Sequence, residues 1–203
     1  MKRNLTEIAL ELNRESRFDD LPRLIFMTDK KAQPLPEEVI ERMPSGSMVI
    51  LRDYDHENRA ELAKALCYIC RVKGIKFMVA GDLTLALMVQ ADGIHLPEYM
   101  LDQIATIKRE NPDFTVTVSA HDHSAVRKAE KSDADGVLLA PVFPTYSHPE
   151  TFDDPSKTIG TDKLANICAK QKIAIYALGG INIDTALSLK DTGIAGIAAI
   201  RGI

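Results

Sequence analysis

The stretch GVLLAP, residues 136–141, is a short apolar run bounded by a glycine and a proline. It is too short for a helix, and its continuous apolar character is typical of a strand buried on both faces, as in a parallel sheet. Residues 142–159 follow it with three prolines and no hydrophobic period. Long loops without regular structure are uncommon in compact domains unless they are functional. We therefore expect this loop to bring Thr145, Ser147 and His148 to a substrate.

Outward from this strand, apolar strand patterns alternate with amphipathic helix patterns along the chain. This alternation predicts parallel βαβ units. Strands buried on both faces, with glycines at their ends, favour a closed (β/α)₈ TIM barrel. An open doubly wound sheet is the alternative, because periodicity alone does not reveal closure. The eight predicted strands cover residues 24–28, 48–53, 75–80, 93–96, 115–119, 136–141, 173–178 and 196–200. The predicted helices cover residues 4–17, 37–42, 56–72, 84–89, 100–109, 124–132, 161–170 and 184–190.

No linker or repeat interrupts this pattern, so we predict a single domain over residues 1–203, with a helical extension over residues 1–21. Only three residues, Arg201 to Ile203, follow the last predicted strand. The helix that usually closes a barrel of this kind is therefore expected to be missing. We expect the N-terminal helix or a partner chain to cover the gap, unless the chain is truncated. A homodimer is one arrangement that would supply such a partner.

The composition is that of an ordinary globular chain, 45% hydrophobic and 27% charged, with a formal net charge of −4. A weak negative charge gives no reason to expect a nucleic acid or an anionic membrane as partner. We find no apolar run of membrane-spanning length and no signal-peptide pattern, and the three cysteines are odd in number. These features predict a cytoplasmic protein with reduced thiols.

The fifth strand carries a candidate catalytic residue at its end. Alternation along residues 115–121 places Ser119 and His121 on one face and the apolar residues on the other. In parallel barrels the active site forms at the carboxyl ends of the strands, so His121 is expected in the mouth. Its side chain suits proton transfer near neutral pH, and an ordinary loop contact is an equally good interpretation. His95, inside the fourth strand, is interpreted as a satisfied core residue.

A glycine pair at the end of the seventh strand, Gly179-Gly180, is typical of a loop that presents backbone N–H groups to a phosphate. Arg201-Gly202 follow the eighth strand, and loops seven and eight together form the usual phosphate site of these barrels. Arg52, at the end of the second strand, could pair with the same kind of anion. A salt bridge to a nearby carboxylate is the alternative role for Arg52.

Four motifs, in order and spacing, resemble the thiamine phosphate synthase/TenI family. They are ADGIHLP at 91–97, VSAH at 118–121, APVFPT at 140–145 and ALGGI at 177–181. The resemblance runs from about residue 24 to residue 203. It implies a (β/α)₈ barrel of thiamine biosynthesis that binds a thiazole phosphate. Synthase members join that thiazole to a pyrimidine methyl pyrophosphate with the help of Mg²⁺. Tautomerase members isomerise a thiazole carboxylate phosphate, using a histidine for proton transfer.

The residues that this resemblance assigns to the thiazole phosphate are present. Ser119, Thr145, Gly179 and Gly180 match family positions, and Ser147 conservatively replaces a threonine. His121 stands where the tautomerase members have their catalytic histidine. The resemblance therefore implies that this chain binds a thiazole phosphate with this set.

The residues that the resemblance assigns to the pyrimidine pyrophosphate are mostly different. Arg52 is retained, but Ile50 and Tyr54 replace a glutamine and a lysine of the synthase pattern. His148 stands at the position of a lysine in the long loop, and Arg201 replaces a serine. Loss of these groups removes much of the stabilisation of a multiply charged leaving group.

The two metal-binding carboxylates of the synthase pattern fall, without gaps, on Gly81 and Met100. A one-residue slip would instead bring Asp82 to the metal position, with Glu98 as the second ligand. The leading hypothesis is therefore a thiazole tautomerase without a cofactor, with His121 as the acid/base. The alternative is a divergent synthase, a transferase that uses Mg²⁺ on Asp82 and Glu98. A second alternative is a non-catalytic or regulatory protein that binds thiazole phosphate.

Overall fold

The computed structural model describes residues 4–13, 18 and 21–203. Within these residues, eight parallel strands pair in chain order, β1 with β2 through to β8, and β8 pairs with β1. The strands are β1 Leu24–Met27, β2 Met48–Leu51, β3 Lys76–Ala80, β4 Gly93–Leu96, β5 Thr115–Ala120, β6 Gly136–Leu139, β7 Ala174–Ala177 and β8 Gly196–Ala199. The predicted closed barrel is confirmed, and the open-sheet alternative is wrong.

Helices lie between the strands on the outside of the barrel. They are α1 Leu5–Asn13, α2 Pro36–Arg42, α3 Arg59–Lys73, α4 Leu83–Met88, α5 Ile104–Glu110, α6 His123–Lys131, α7 Glu150–Asp153, α8 Gly160–Lys170 and α9 Ile183–Leu187. Of the helix predicted over residues 100–109, residues 104–109 lie in α5, and residues 100–103 belong to a 3₁₀ segment, Glu98–Gln103, that precedes it. No helix in these described ranges is long and apolar enough to span a bilayer.

Two apolar cores follow from the alternation of side chains along each strand. The outer core lies between strands and helices and takes Val116, Val118 and Ala120 from β5. The inner core fills the barrel with residues that come mainly from the strands, Tyr176 of β7 among the largest. Because a period of two divides each strand between these cores, the other face of β5 is left for polar side chains that point into the barrel.

The N-terminal helix α1 covers the last strand. Leu5, Ile8 and Ala9 are buried in the outer core, and α1 contacts β8, β1 and α9. The N-terminal helix therefore covers the gap left after β8, as the first of the expected arrangements has it. Residues 14–17 of the predicted helix lie outside the described residues. The assignment of residues 1–203 to one domain with an extension over residues 1–21 stays a prediction.

The prediction of a loop without regular structure over residues 142–159 is wrong in part. The segment contains α7 and a 3₁₀ turn, Pro155–Lys157. It is held to the barrel where Ile159 N–H donates to the Pro141 carbonyl at 2.8 Å. The buried Thr151 hydroxyl donates to the His148 carbonyl at 2.6 Å and accepts from the Thr145 N–H at 2.9 Å. One bond back to the end of β6 and the local bonds of Thr151 therefore order a segment whose helix, at four residues, is too short to have a periodic pattern.

Candidate functional site

A cavity of about 580 Å³ opens at the carboxyl ends of the strands. This is the size of a small-molecule site. All ten residues that the sequence predicted for catalysis or substrate binding line it: Arg52, Ser119, His121, Thr145, Ser147, His148, Gly179, Gly180, Arg201 and Gly202. Their individual roles stay predictions, but the barrel brings together residues that are up to 150 positions apart (202 − 52).

The loop after β7 is shaped by two glycines in left-handed conformations. Gly179 has φ +93° and Gly180 has φ +67°. A Cβ atom on Gly180 would lie 2.4 Å from the Pro144 carbonyl oxygen, so no larger residue fits there. After β8, Gly202 is also left-handed, with φ +87°. Within the described part of the chain, the N–H groups of Gly179, Gly180, Arg201 and Gly202 donate to no protein acceptor. Unpaired amides on loops of this kind are the groups that an anion can bind, so the anion site predicted from the sequence stays a prediction.

His121 forms a pair with Glu98 at the rim of the cavity. Its Nδ1 lies 2.7 Å from Glu98 Oε2, and the same oxygen accepts the His121 backbone N–H at 2.9 Å. About half of the His121 side chain is exposed. Because a carboxylate only accepts, Nδ1 carries the hydrogen and Nε2 of the neutral ring is left as the acceptor. His121 Nε2 has no hydrogen-bond partner among the described residues.

The floor of the cavity contains His95, which the sequence analysis assigned to the core. His95 Nδ1 lies 2.9 Å from Thr117 Oγ1, and Nε2 lies 2.9 Å from Ser119 Oγ. Burial lowers the pKa of His95 to about 3, so the ring is neutral at physiological pH. One of its nitrogens therefore donates to a hydroxyl and the other accepts. His95 is a satisfied residue, as predicted, and it also fixes the Ser119 hydroxyl at the edge of the cavity.

Arg52 lines the cavity but is already paired. Its guanidinium lies 2.5 Å from Asp29 Oδ2, and its backbone N–H donates to Thr28 Oγ1 at 3.0 Å. The salt bridge that was the alternative role for Arg52 is therefore present. Much of its charge is balanced before any ligand arrives, so Arg201 is the less compensated cation of the two.

Asp82 and Glu98 each pair with other groups, and Asp82 Oδ2 also lies 3.6 Å from Arg59 Nη1. Asp82 caps α4, where Oδ1 accepts the Leu85 N–H at 2.9 Å, and it does not line the cavity. Glu98 is held by His121. Among residues 4–13, 18 and 21–203, no group of three or more His, Cys, Asp or Glu side chains could hold a metal ion. This donor set does not fit a magnesium site that uses carboxylates from two loops.

The long loop packs across the mouth from the β6 side. The rings of His148 and His121 are edge to face, with 6.5 Å between centroids. The Arg201 guanidinium carbon lies 5.9 Å from the centre of the Tyr146 ring. These contacts join the loop to the ends of β5 and β8.

The family model described as thiamine monophosphate synthase matches residues 24–203. A protein of Aquifex aeolicus named putative thiamine-phosphate synthase 2 is 36% identical over 186 residues, which is 89% of this chain and 97% of the relative. The chain belongs to the thiamine monophosphate synthase family. The thiamine-phosphate synthase of Pyrococcus furiosus is 32% identical over 185 residues, 89% of this chain and 86% of that protein.

A solved structure gives the same assignment of fold. Thiamine phosphate pyrophosphorylase from Pyrococcus furiosus superimposes with a TM-score of 0.72 and 28% identity, and the match covers 89% of this chain and 85% of that one. The resemblance inferred from the four motifs is thus confirmed. This chain is a thiamine-biosynthesis barrel of the thiamine monophosphate synthase family, which is a family of enzymes.

Sequence reasoning missed two aromatic residues of the rim, Tyr99 and Tyr146, and gave Tyr54 no role beyond a lost lysine. All three line the cavity. Tyr54 and Tyr99 each lie three positions after a strand end, and that proximity was the available signal, whereas Tyr146 lies in the long loop after β6. His95 could also have been found, because alternation along β4 puts it on the same face as the cavity.

Proposed function

We propose that this cavity binds a thiazole phosphate and catalyses proton transfer on its ring, with His121 as general acid and base. The observation that carries the proposal is the His121–Glu98 pair at the mouth, with Nε2 directed away from the carboxylate. A tautomerase needs one group that both accepts and donates a proton within reach of the substrate. Three further expectations remain predictions. They are that the chain binds a thiazole phosphate, that it is cytoplasmic and that it forms a homodimer.

The phosphate would bind at the two glycine loops. The residues with unpaired amides, Gly179, Gly180, Arg201 and Gly202, all line the cavity. Backbone N–H groups and one arginine suit a single phosphate group. Thr145 and Ser147 would then lie above the ligand, on the loop that packs across the mouth.

The proton step uses His121 and Glu98 together. In the neutral ring Nε2 removes the proton from a ring carbon of the thiazole, and the electron pair of that bond moves into the ring system. The resulting imidazolium is stabilised by the Glu98 carboxylate at 2.7 Å. The proton then returns from Nε2 to the new position, so His121 ends as it began. A correctly placed general acid/base contributes about 10²- to 10⁴-fold to rate.

The second candidate is a thiamine phosphate synthase, and the names of the Aquifex and Pyrococcus relatives favour it. That reaction brings a thiazole phosphate and a pyrimidine pyrophosphate into one cavity. Among the described lining residues, the permanent cations are Arg52, which is paired with Asp29, and Arg201. Asp82 is engaged in capping α4, and Glu98 is paired with His121. The charges of two phosphorylated substrates are thus poorly balanced, which is why we prefer the single-substrate reaction.

Three assays on the wild-type chain separate these functions. Calorimetric titration with a thiazole phosphate measures binding, and NMR of a thiazole carboxylate phosphate follows isomerisation. A coupling assay with pyrimidine pyrophosphate and Mg²⁺ measures synthase activity. We expect binding and isomerisation without a need for Mg²⁺. Magnesium-dependent coupling without isomerisation would establish the synthase instead, and binding with neither reaction would establish a binding protein.

A further inference from the structure

Tyr146 lies at the tip of a tight turn in the loop after β6. The His148 N–H donates to the Thr145 carbonyl at 2.9 Å, and this bond leaves Tyr146 and Ser147 between the two ends of the turn. Tyr146 is 76% exposed and lines the cavity. The proton step described above does not use its side chain, so the contacts of the ring indicate what it does.

The chain just before this turn is fixed to the glycine loop after β7. The Phe143 N–H donates to the Gly179 carbonyl at 3.1 Å. The two segments also touch at Gly180, where an added Cβ atom would lie 2.4 Å from the Pro144 carbonyl oxygen. The turn that carries Tyr146 therefore starts from a point that packs directly on the predicted anion site.

The Tyr146 ring contacts both Phe152 and Arg201. The Tyr146 and Phe152 ring centres are 5.2 Å apart, and Phe152 follows the buried Thr151, which is hydrogen-bonded through its hydroxyl. On the other side, the Arg201 guanidinium carbon lies 5.9 Å from the Tyr146 ring centre. No carboxylate of the described ranges forms an ion pair with Arg201. The ring thus supports a guanidinium whose charge is not yet balanced.

The contact between Tyr146 and Arg201 joins the loops on either side of β7. Tyr146 follows β6 and Arg201 follows β8, and β7 lies between these strands in the barrel. The Gly179-Gly180 loop follows β7, so the contact spans the loop whose amides are unpaired. An arginine that is already held in place loses less side-chain freedom when it binds an anion. Tyr146 should therefore raise phosphate affinity through Arg201.

We infer that Tyr146 is a positioning residue for Arg201, and that this pair makes the cavity specific for a phosphorylated thiazole over the same thiazole with a free hydroxyl. The inference rests on the proposed function, because it takes the phosphate to bind at the glycine loop. It adds a residue to the site and names the ligand group that the pair selects.

Two matched ligands test this inference, a thiazole phosphate and the corresponding thiazole alcohol, each titrated by calorimetry. Arg201→Gln removes a charge-assisted contact, so it should weaken the phosphate by about tenfold or more and leave the alcohol within about twofold. Tyr146→Leu should weaken the phosphate by about two- to fivefold, the worth of one exposed cation–π contact, and also spare the alcohol. The double variant should bind the phosphate no more weakly than Arg201→Gln alone, because Tyr146 acts through Arg201.

Tyr146→Phe is the conservative variant. It keeps the ring, so it should bind both ligands within about twofold of the wild-type chain. Tyr68→Leu is the matched control, since Tyr68 is 70% exposed on α3 and does not line the cavity. Thermal unfolding verifies that each variant is folded. If an Arg201 variant fails to fold, the comparison of Tyr146→Phe with Tyr146→Leu on the two ligands decides.

Four results overturn the inference. They are equal binding of the two ligands by the wild-type chain, independent losses that multiply in the double variant, a Tyr146→Leu variant that weakens both ligands alike, and a Tyr146→Phe variant that loses as much as Tyr146→Leu. Failure of the proposed proton transfer gives a different result, because isomerisation is then absent while the titrations keep the expected pattern. A wild-type chain that binds neither ligand overturns both proposals.

Discussion

Replacing Gly180 by alanine tests the phosphate loop through its backbone. The residue has φ +67°, and a left-handed conformation costs an L-residue roughly 1–2 kcal/mol. The added methyl would lie 2.4 Å from the Pro144 carbonyl oxygen and 2.7 Å from Phe143 Cβ. Overpacking of this kind costs about 1–3 kcal/mol. We therefore expect Gly180→Ala to lower the free energy of unfolding by about 2–5 kcal/mol in total.

Thermal unfolding, with and without inorganic phosphate, measures both consequences. For a chain of this size the expected loss corresponds to a fall in Tm of roughly 4–20 °C. Because the methyl group displaces the loop, the stabilisation that phosphate gives the wild-type chain should also disappear.

Gly46→Ala is the matched control. Gly46 is also left-handed, with φ +79°, but a Cβ there meets nothing within 4 Å. It should lose only the conformational term and keep the response to phosphate. Equal losses in the two variants, or a normal phosphate response in Gly180→Ala, would refute the reasoning.

The remaining predictions concern Glu98, His95 and Asp82. Glu98→Gln should slow isomerisation by about tenfold or more while thiazole phosphate affinity stays within a few-fold, because the imidazolium loses its counter-charge; steady-state kinetics and calorimetry check this. The pKa of His95 is lowered from 6.5 to about 3 in the folded chain. Between these two values the unfolded state binds more protons than the folded state, so the free energy of unfolding falls as the pH drops from about 6.5 towards 3. Urea unfolding from pH 7 to pH 4.5 should show that His95→Asn removes up to about 1.4 kcal/mol per pH unit of this slope; an unchanged slope would mean that His95 is protonated in the folded chain. Asp82→Ala should lose the helix cap, about 0.5–2 kcal/mol by chemical denaturation, and change no activity; loss of a Mg²⁺-dependent coupling reaction would instead support the synthase.

The barrel was predictable because its information is local. Each strand is a short apolar run, each helix has its own period, and strand alternation alone puts Ser119 and His121 on the inward face of β5. The rule that loops at the carboxyl ends form the site then gathers residues as distant as Arg52 and Gly202. Both steps use only chain-local patterns and the parallel direction of the strands.

What the sequence does not contain is the choice of partner for each polar group. Arg52 pairs with Asp29, 23 positions away, and this choice depends on how β1 and β2 align. Asp82 turns to cap α4, although a slip of one residue made it a metal candidate. The short helix α7 is held by local hydrogen bonds of the buried Thr151, and its four residues are too few to show a helical period.

The central claim is that His121 moves the proton, and His121→Gln tests it most directly. The turnover of a thiazole carboxylate phosphate is followed by NMR, and thiazole phosphate affinity is measured by calorimetry on the same preparation. His56→Gln is the control, since His56 precedes α3 and does not line the cavity. We predict that His121→Gln keeps affinity within a few-fold and loses roughly 10²-fold or more in rate. A His121→Gln variant that turns over at the wild-type rate would contradict the account.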